Sequence, residues 1–191
     1  MDPRATLQQA LYSRRPSEPV GVWLGRVLDA LPADAEADEQ IVAELAQAVN
    51  GPLAEEQRRI EEDSAAHVDF WRTVAERLPS HPHSHAMYAD TLLLTGDTEA
   101  ARREMLAALE ADPTIVYRMS GEYRDVMERA GGADWAAYRA LVLRAADIDD
   151  PDGNRDYVMD GLRDLLSDVG DDAELRRTVM RILGRPKDRA E

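Results

Sequence analysis

Cysteine is absent from the 191-residue chain, which removes disulfides, thiolate zinc sites and thiol catalysis. Lysine occurs once, at Lys187, phenylalanine once, at Phe70, and aromatic residues make up only 5% of the sequence. No apolar run approaches the ~20 residues a membrane-spanning helix needs, and Met1 to Ser13 contains no apolar segment of the signal-peptide kind. Positive charge is also short, with 23 Lys+Arg against 38 Asp+Glu for a formal charge of −15. A chain so charged repels phosphate backbones and anionic lipid, so neither nucleic acid nor a membrane surface is the expected partner. The expected setting is cytoplasmic. Arginine supplies nearly all the basic charge, a bias that suits GC-rich codon usage or high-salt adaptation as well as bidentate recognition.

What the chain does have is alanine and helical periodicity. The apolar fraction is 44%, with few β-branched residues for its alanine content, which reads as helix packed closely on helix. A compact chain of this length buries roughly 70% of its unfolded surface and forms one or two domains. No stretch alternates with period two, so the expected fold class is all-α, with no strands.

Glycine and proline set the rhythm. Gly96-Asp97, Gly131-Gly132 and Gly170-Asp171 interrupt helical stretches, and Pro113, Pro151 and Pro186 close the helices that follow. Both series recur every 35 to 38 residues, the spacing of stacked helix-turn-helix units. Each glycine supplies a left-handed turn, and the acids after it (Asp97 with Glu99; Asp171 with Asp172 and Glu174) complement the positive end of the next helix. Between Pro151 and Gly170, Val158, Leu162, Leu165, Leu166 and Val169 form one apolar stripe; Leu175, Val179, Ile182 and Leu183 form another. Upstream, Val20 to Leu31 and Ala35 to Val49 read as helices separated by Pro32. Leu53 to Leu78 reads as one helix of ~40 Å, or as two if Ser64 caps a second. Residues 1–15 and 187–191 are expected to fray.

Residues 82–115 carry a more specific pattern. Tyr88, Ala89 and Leu92, then Gly96-Asp97, then Ala101 and Ala108, then Pro113, resemble a tetratricopeptide repeat: first-helix packing residues, turn, two small second-helix positions and closing proline. The small side chains of Ala89, Ala101 and Ala108 suit close helix approach. The next two units depart from the pattern: Ala136 and Ala137 follow Gly132 but the proline comes late, and Leu175 replaces a small residue after Gly170. The resemblance implies stacked antiparallel helical hairpins in a right-handed superhelix. The resulting organisation is an N-terminal helical region, 1–80, containing a long helix, with or without one degenerate repeat. Hairpins follow at 81–186 (82–115, 116–151 and 153–186), with a short tail at 187–191.

By the same resemblance His83, Ala86, Asp90 and Leu93 face a partner-binding groove. Repeats of this family that clamp a chaperone's C-terminal carboxylate use lysine and asparagine there. Asp90 and the scarcity of lysine point instead to a basic or amphipathic protein segment, with the chain as adaptor or chaperone.

Two other clusters carry chemistry. His81, His83 and His85 alternate through a segment read as an interhelical loop; on one face they would suit zinc, nickel or copper, with His67 or Asp69 as a further ligand. The plainer reading is a polar loop, and no metal or cofactor is assigned. Asp152, Asp156, Asp160, Asp164 and Asp168 recur every four residues opposite the Val158–Val169 stripe. Residues 147–172 hold a net −8 and residues 173–191 a net +3. The acidic ridge reads as a solvated face, or as a docking face by which the chain would inhibit a basic or nucleic-acid-binding protein. Asp150-Pro151-Asp152-Gly153 fails as a calcium loop, because the required register puts Ile148 and Met159 at ligand positions. No nucleophile elbow, phosphate-binding glycine loop or His-Glu-x-x-His helix occurs, so the expected function is non-catalytic, with a metal-dependent activity at His81–His85 as the alternative.

Overall fold

A computed structural model describes residues 3–35, 38, 40–51, 53–118, 121–146, 162–163, 165–166 and 173–184. Among these residues there are ten α-helices, one 3-10 helix and no strand. None of the helices is long and apolar enough to cross a membrane. The chain divides into two compact units, Met1–Ala111 and Asp112–Glu191.

The first unit holds α1 (Pro3–Tyr12), α2 (Val20–Asp29), α3 (Ile41–Val49), α4 (Leu53–Glu62), α5 (Ser64–Arg77), α6 (Pro82–Leu94) and α7 (Thr98–Ala111). Within the 1–15 segment expected to fray, Pro3–Tyr12 form a helix. Leu7, Ala10 and Leu11 of α1 are buried in the core, and the helix is tied down by α2. The Trp23 indole N–H donates to the carbonyl of Ala10 at 3.0 Å, and Arg26 donates to the same oxygen at 3.3 Å. These donors satisfy a C-terminal carbonyl that has no partner within the helix. Arg26 also grips both oxygens of Glu18, at 2.8 and 3.1 Å.

Val20, Trp23, Leu24 and Val27 give α2 its buried face, and Ile41, Val42, Leu45 and Val49 do so for α3. The second of these helices starts at Ile41, later than the apolar pattern suggests; ahead of it the Asp38 carboxylate accepts from the Gln40 N–H at 3.0 Å, a local turn that competes with helix. The long helix expected over 53–78 is broken at Asp63, whose carboxylate accepts from the Ala66 N–H at 3.1 Å. Asp63, not Ser64, is therefore the cap. After it, His67, Phe70, Trp71, Val74 and Ala75 follow the helical period into the core, with Phe70 and Trp71 edge to face at 5.1 Å between ring centres.

The hairpin of α6 and α7 follows from a few local rules. Pro82 occupies the first turn of α6, where its missing N–H costs nothing. At the far end the Asp97 N–H donates to the Leu92 carbonyl at 2.9 Å and the Gly96 N–H to Leu93 at 3.1 Å, with Gly96 at φ +91°. This paired closure is a Schellman motif. The Asp97 carboxylate then accepts from the Ala100 N–H at 3.1 Å and caps α7. Ala89, Ala101 and Ala108 are all 0% exposed, so the backbones approach closely where the sequence is smallest. Because α6 also packs on α5, and Met87 and Tyr88 lean on the N-terminal core, this hairpin belongs with residues 1–80 in one compact unit rather than opening a new one.

The second unit begins with a 3-10 helix at Pro113–Arg118, started by Asp112, whose carboxylate accepts from both the N–H and the hydroxyl of Thr114 at 2.9 and 2.7 Å. It continues with α8 (Gly121–Ala130) and α9 (Gly132–Ala146), and α10 (Ala173–Leu183) lies near its end. Tyr123, Val126 and Met127 of α8 are buried, as are Tyr138, Leu141, Val142, Ala145 and Ala146 of α9. Burial pushes the Tyr138 hydroxyl up to about 12. Leu162, Leu165, Val179 and Ile182 are buried as their apolar stripes require. Leu166 of the same stripe is half-buried; Val158, Val169, Pro151, Pro186 and residues 187–191 lie outside the described residues.

Candidate functional site

Helix α6 presents three faces. His85, Ala89 and Leu92 share the one that meets α7, where His85 Nδ1 is 2.8 Å from Glu104 Oε2. Ser84, Met87, Tyr88 and Thr91 share the second, toward the N-terminal core. His83, Ala86, Asp90 and Leu93, the positions that the repeat resemblance names, share the third, and each is half-buried. Leu94 extends this face and is exposed.

The three histidines do not form one cluster. Helix α6 begins at Pro82, so His81 is its N-cap residue and His83 and His85 are already helical, which breaks the alternation expected of a loop. His81 is buried with both ring nitrogens lacking a hydrogen-bond partner, and its ring meets that of His83 edge on at 5.7 Å. His85 is held elsewhere, between Glu104 and the Pro79 carbonyl, the latter 3.1 Å from Nε2. The hydrogen bond to the Glu104 carboxylate raises the His85 imidazole above its ordinary value, against the opposing effect of burial. Asp69 does not join them either: it is exposed and paired with Arg72 at 2.8 Å. Among the described residues, no group of three or more His, Asp or Glu side chains is placed to hold a metal ion. The acidic ridge of Asp152, Asp156, Asp160, Asp164 and Asp168 lies outside the described residues.

One site escaped the sequence reading. Helices α1 to α5 and the segment after α1 frame a cavity of about 300 Å³. Its wall includes Leu11, Tyr12, Trp23 and Val49 on the apolar side and Arg14, Arg58, Arg59, Glu62 and His67 on the polar side. Arg14 reaches Glu62 at 3.4 Å while its guanidinium lies 5.5 Å from the centre of the Trp23 ring. Arg58 reaches the other oxygen of Glu62, also at 3.4 Å. Arg59 donates to the Ala48 carbonyl near the end of α3, at 3.2 Å, and lies against Gly51. There the backbone has φ +84°, and a Cβ would come within 2.5 Å of the guanidinium, so only glycine fits both demands.

His67, considered from sequence only as an extra ligand for the His81–His85 segment, belongs to this wall instead. Its Nδ1 lies 3.0 Å from the Asp63 carbonyl, and its Nε2 is buried without a partner. The available signal was Arg58-Arg59 followed by Glu62, but on a heavily charged helix it could not be told from a solvated face.

No family model, no curated protein and no solved structure matches this chain.

Proposed function

We propose that the chain is a non-catalytic binding module in which α6 and α7 act as a tetratricopeptide-like hairpin, stacked in a superhelix with its neighbours. The third face of α6 takes a peptide or helix of a basic or amphipathic protein partner. One observation carries the reading: His83, Ala86, Asp90 and Leu93 lie together on one half-buried face of α6, distinct from the faces that meet α7 and the N-terminal core. Two apolar groups, one imidazole and one carboxylate at 3-4-3 spacing match an amphipathic segment bearing a cation. The formal charge of −15 adds long-range attraction for such a partner.

The test is affinity purification from the native host with mass spectrometry, comparing the natural chain with the double substitution Asp90→Arg and Leu93→Glu. A partner captured by the natural chain and lost from the variant, whose helical circular dichroism is unchanged, supports the assignment. A set of partners retained in full by the folded variant would defeat it.

A further inference from the structure

We infer that the exposed face of α10 is a docking surface for an acidic, amphipathic helix of a protein partner. Val179 and Ile182 are fully buried, which fixes how α10 is turned. On the side away from them Arg176, Arg177, Met180 and Arg181 are all exposed. At the α-helical repeat these four fall within about 140° of arc, with Met180 between Arg176 and Arg177. Three cations therefore surround an apolar side chain that is 57% exposed, one of four large apolar side chains left exposed among the described residues. The helix holds a single acid, Glu174, in its first turn. Among the described residues no carboxylate forms an ion pair with Arg176, Arg177 or Arg181, although the chain as a whole carries −15.

Charge complementarity names the occupant. A carboxylate accepts two parallel N–H bonds from one guanidinium, and carboxylates four residues apart on a helix lie on one side of it. Arg177 and Arg181 have that same spacing, so a partner helix with acids at i and i+4 meets both, and an apolar residue beside them covers Met180. The Arg177 Nε–H donates to the Ala173 carbonyl at 3.1 Å, which lays the side chain along its own helix and reduces the ordering cost of binding. Other polyanions fit less well. From Arg176 to Arg181 the face runs only about 7.5 Å along the axis. Duplex DNA draws its affinity from many phosphate contacts, and a duplex continuing past three arginines meets a chain of −15. A bilayer surface holds a helix by a continuous apolar face, and Met180 is the one exposed large apolar side chain of α10. A short acidic helix ends within the face, and at physiological salt charges more than about 8 Å away are largely screened from it.

This inference stands apart from the α6 surface, since His83, Ala86, Asp90 and Leu93 belong to another helix and another unit, and either can fail alone. The test is titration of the full chain at about 0.15 M salt with a fluorescent, alanine-based helical peptide whose glutamates recur every four residues around one leucine. Parallel titrations use a DNA duplex and vesicles of phosphatidylserine with phosphatidylcholine. Saturable binding of the peptide with a dissociation constant of about 0.1 mM is expected. The double substitution Arg177→Gln with Arg181→Gln, at exposed positions and with helix propensity kept, should weaken it about tenfold. Met180→Gln should weaken it about threefold. Absence of saturable peptide binding to about 5 mM, or undiminished affinity in the double variant with its helical circular dichroism intact, would overturn the proposal. Undiminished affinity in Met180→Gln would overturn the apolar contact. DNA or vesicles held more tightly than the peptide, and released by the same double substitution, would overturn the choice of a protein helix.

Discussion

The hairpin of α6 and α7 and that of α8 and α9 both turn on glycines with positive φ, yet they close by different means. In the first, Ala89, Ala101 and Ala108 are fully buried at the contact, and Asp97 both completes the closure of α6 and caps α7. In the second, Gly131 and Gly132 are both left-handed, at φ +64° and +56°, and the residues buried nearer the turn are large (Tyr123, Met127, Tyr138 and Leu141), with the small Ala145 and Ala146 only at the far end of α9. Ala136 is exposed and Ala137 half-buried, although the repeat pattern gives these positions the part that Ala101 plays. A glycine at the turn therefore specifies a change of direction. How near two helices come is decided by side-chain volume along their contact, which the turn does not control.

The comparison breaks most visibly if volume is added to each hairpin. Ala101→Leu places three extra carbon atoms where no space exists, and the cost should be about 3 kcal/mol, the upper part of the overpacking range. Ala136→Leu adds the same atoms to an exposed position and should stay within about 0.5 kcal/mol. Urea denaturation of the two variants measures both. Equal losses would mean that the two hairpins do not differ in closeness of packing.

That contrast also marks what the sequence could reveal. The turn at Gly96-Asp97, the proline at the start of α6 and the alanines at its contact with α7 are set by neighbours a few residues away, so they are legible. Helix α1 was not, because its C-terminal carbonyl is satisfied by Trp23 and Arg26, 13 and 16 residues further on. Asp63 and Ser64 are both good capping residues, and only the backbone decides between them. The α6 face came from the repeat resemblance, and helical spacing puts the four residues it names on one side of α6. The cavity could not be found that way, since it exists only where helices distant in sequence meet and leave Arg14, Arg58, Arg59 and His67 around one space.

A smaller effect separates the two turns themselves. At both Gly96 and Gly132 a Cβ would meet nothing within 4 Å, so an alanine there tests backbone conformation alone. Gly96→Ala, at φ +91°, should cost about 1–2 kcal/mol, and Gly96→Asn should recover part of it because asparagine tolerates left-handed backbone. Gly132→Ala, at φ +56°, should fall at the lower end of the same range. Thermal unfolding ranks the three. A harmless Gly96→Ala would show that the turn has another accessible closure.

The smallest effect belongs to the first hairpin alone and depends on pH. His85 faces acceptors with both ring nitrogens, Glu104 at 2.8 Å and the Pro79 carbonyl at 3.1 Å, and only the imidazolium donates to both. Its pKa in the folded chain is raised, first by the Glu104 hydrogen bond, above the ordinary 6.5 that the unfolded chain retains. The folded state therefore binds the proton more tightly, and the resulting stability is complete below the unfolded value. It is lost as pH rises from there through the folded value. The α8–α9 hairpin has no histidine, the chain's four being His67, His81, His83 and His85, and supplies the internal control. Hydrogen exchange of α6 and α7 amides, corrected for intrinsic rates, should show protection that declines from acid to mildly alkaline pH in the natural chain but not in His85→Gln. A decline of equal size in the variant would assign the pH dependence to other groups and reduce the His85–Glu104 contact to a neutral hydrogen bond.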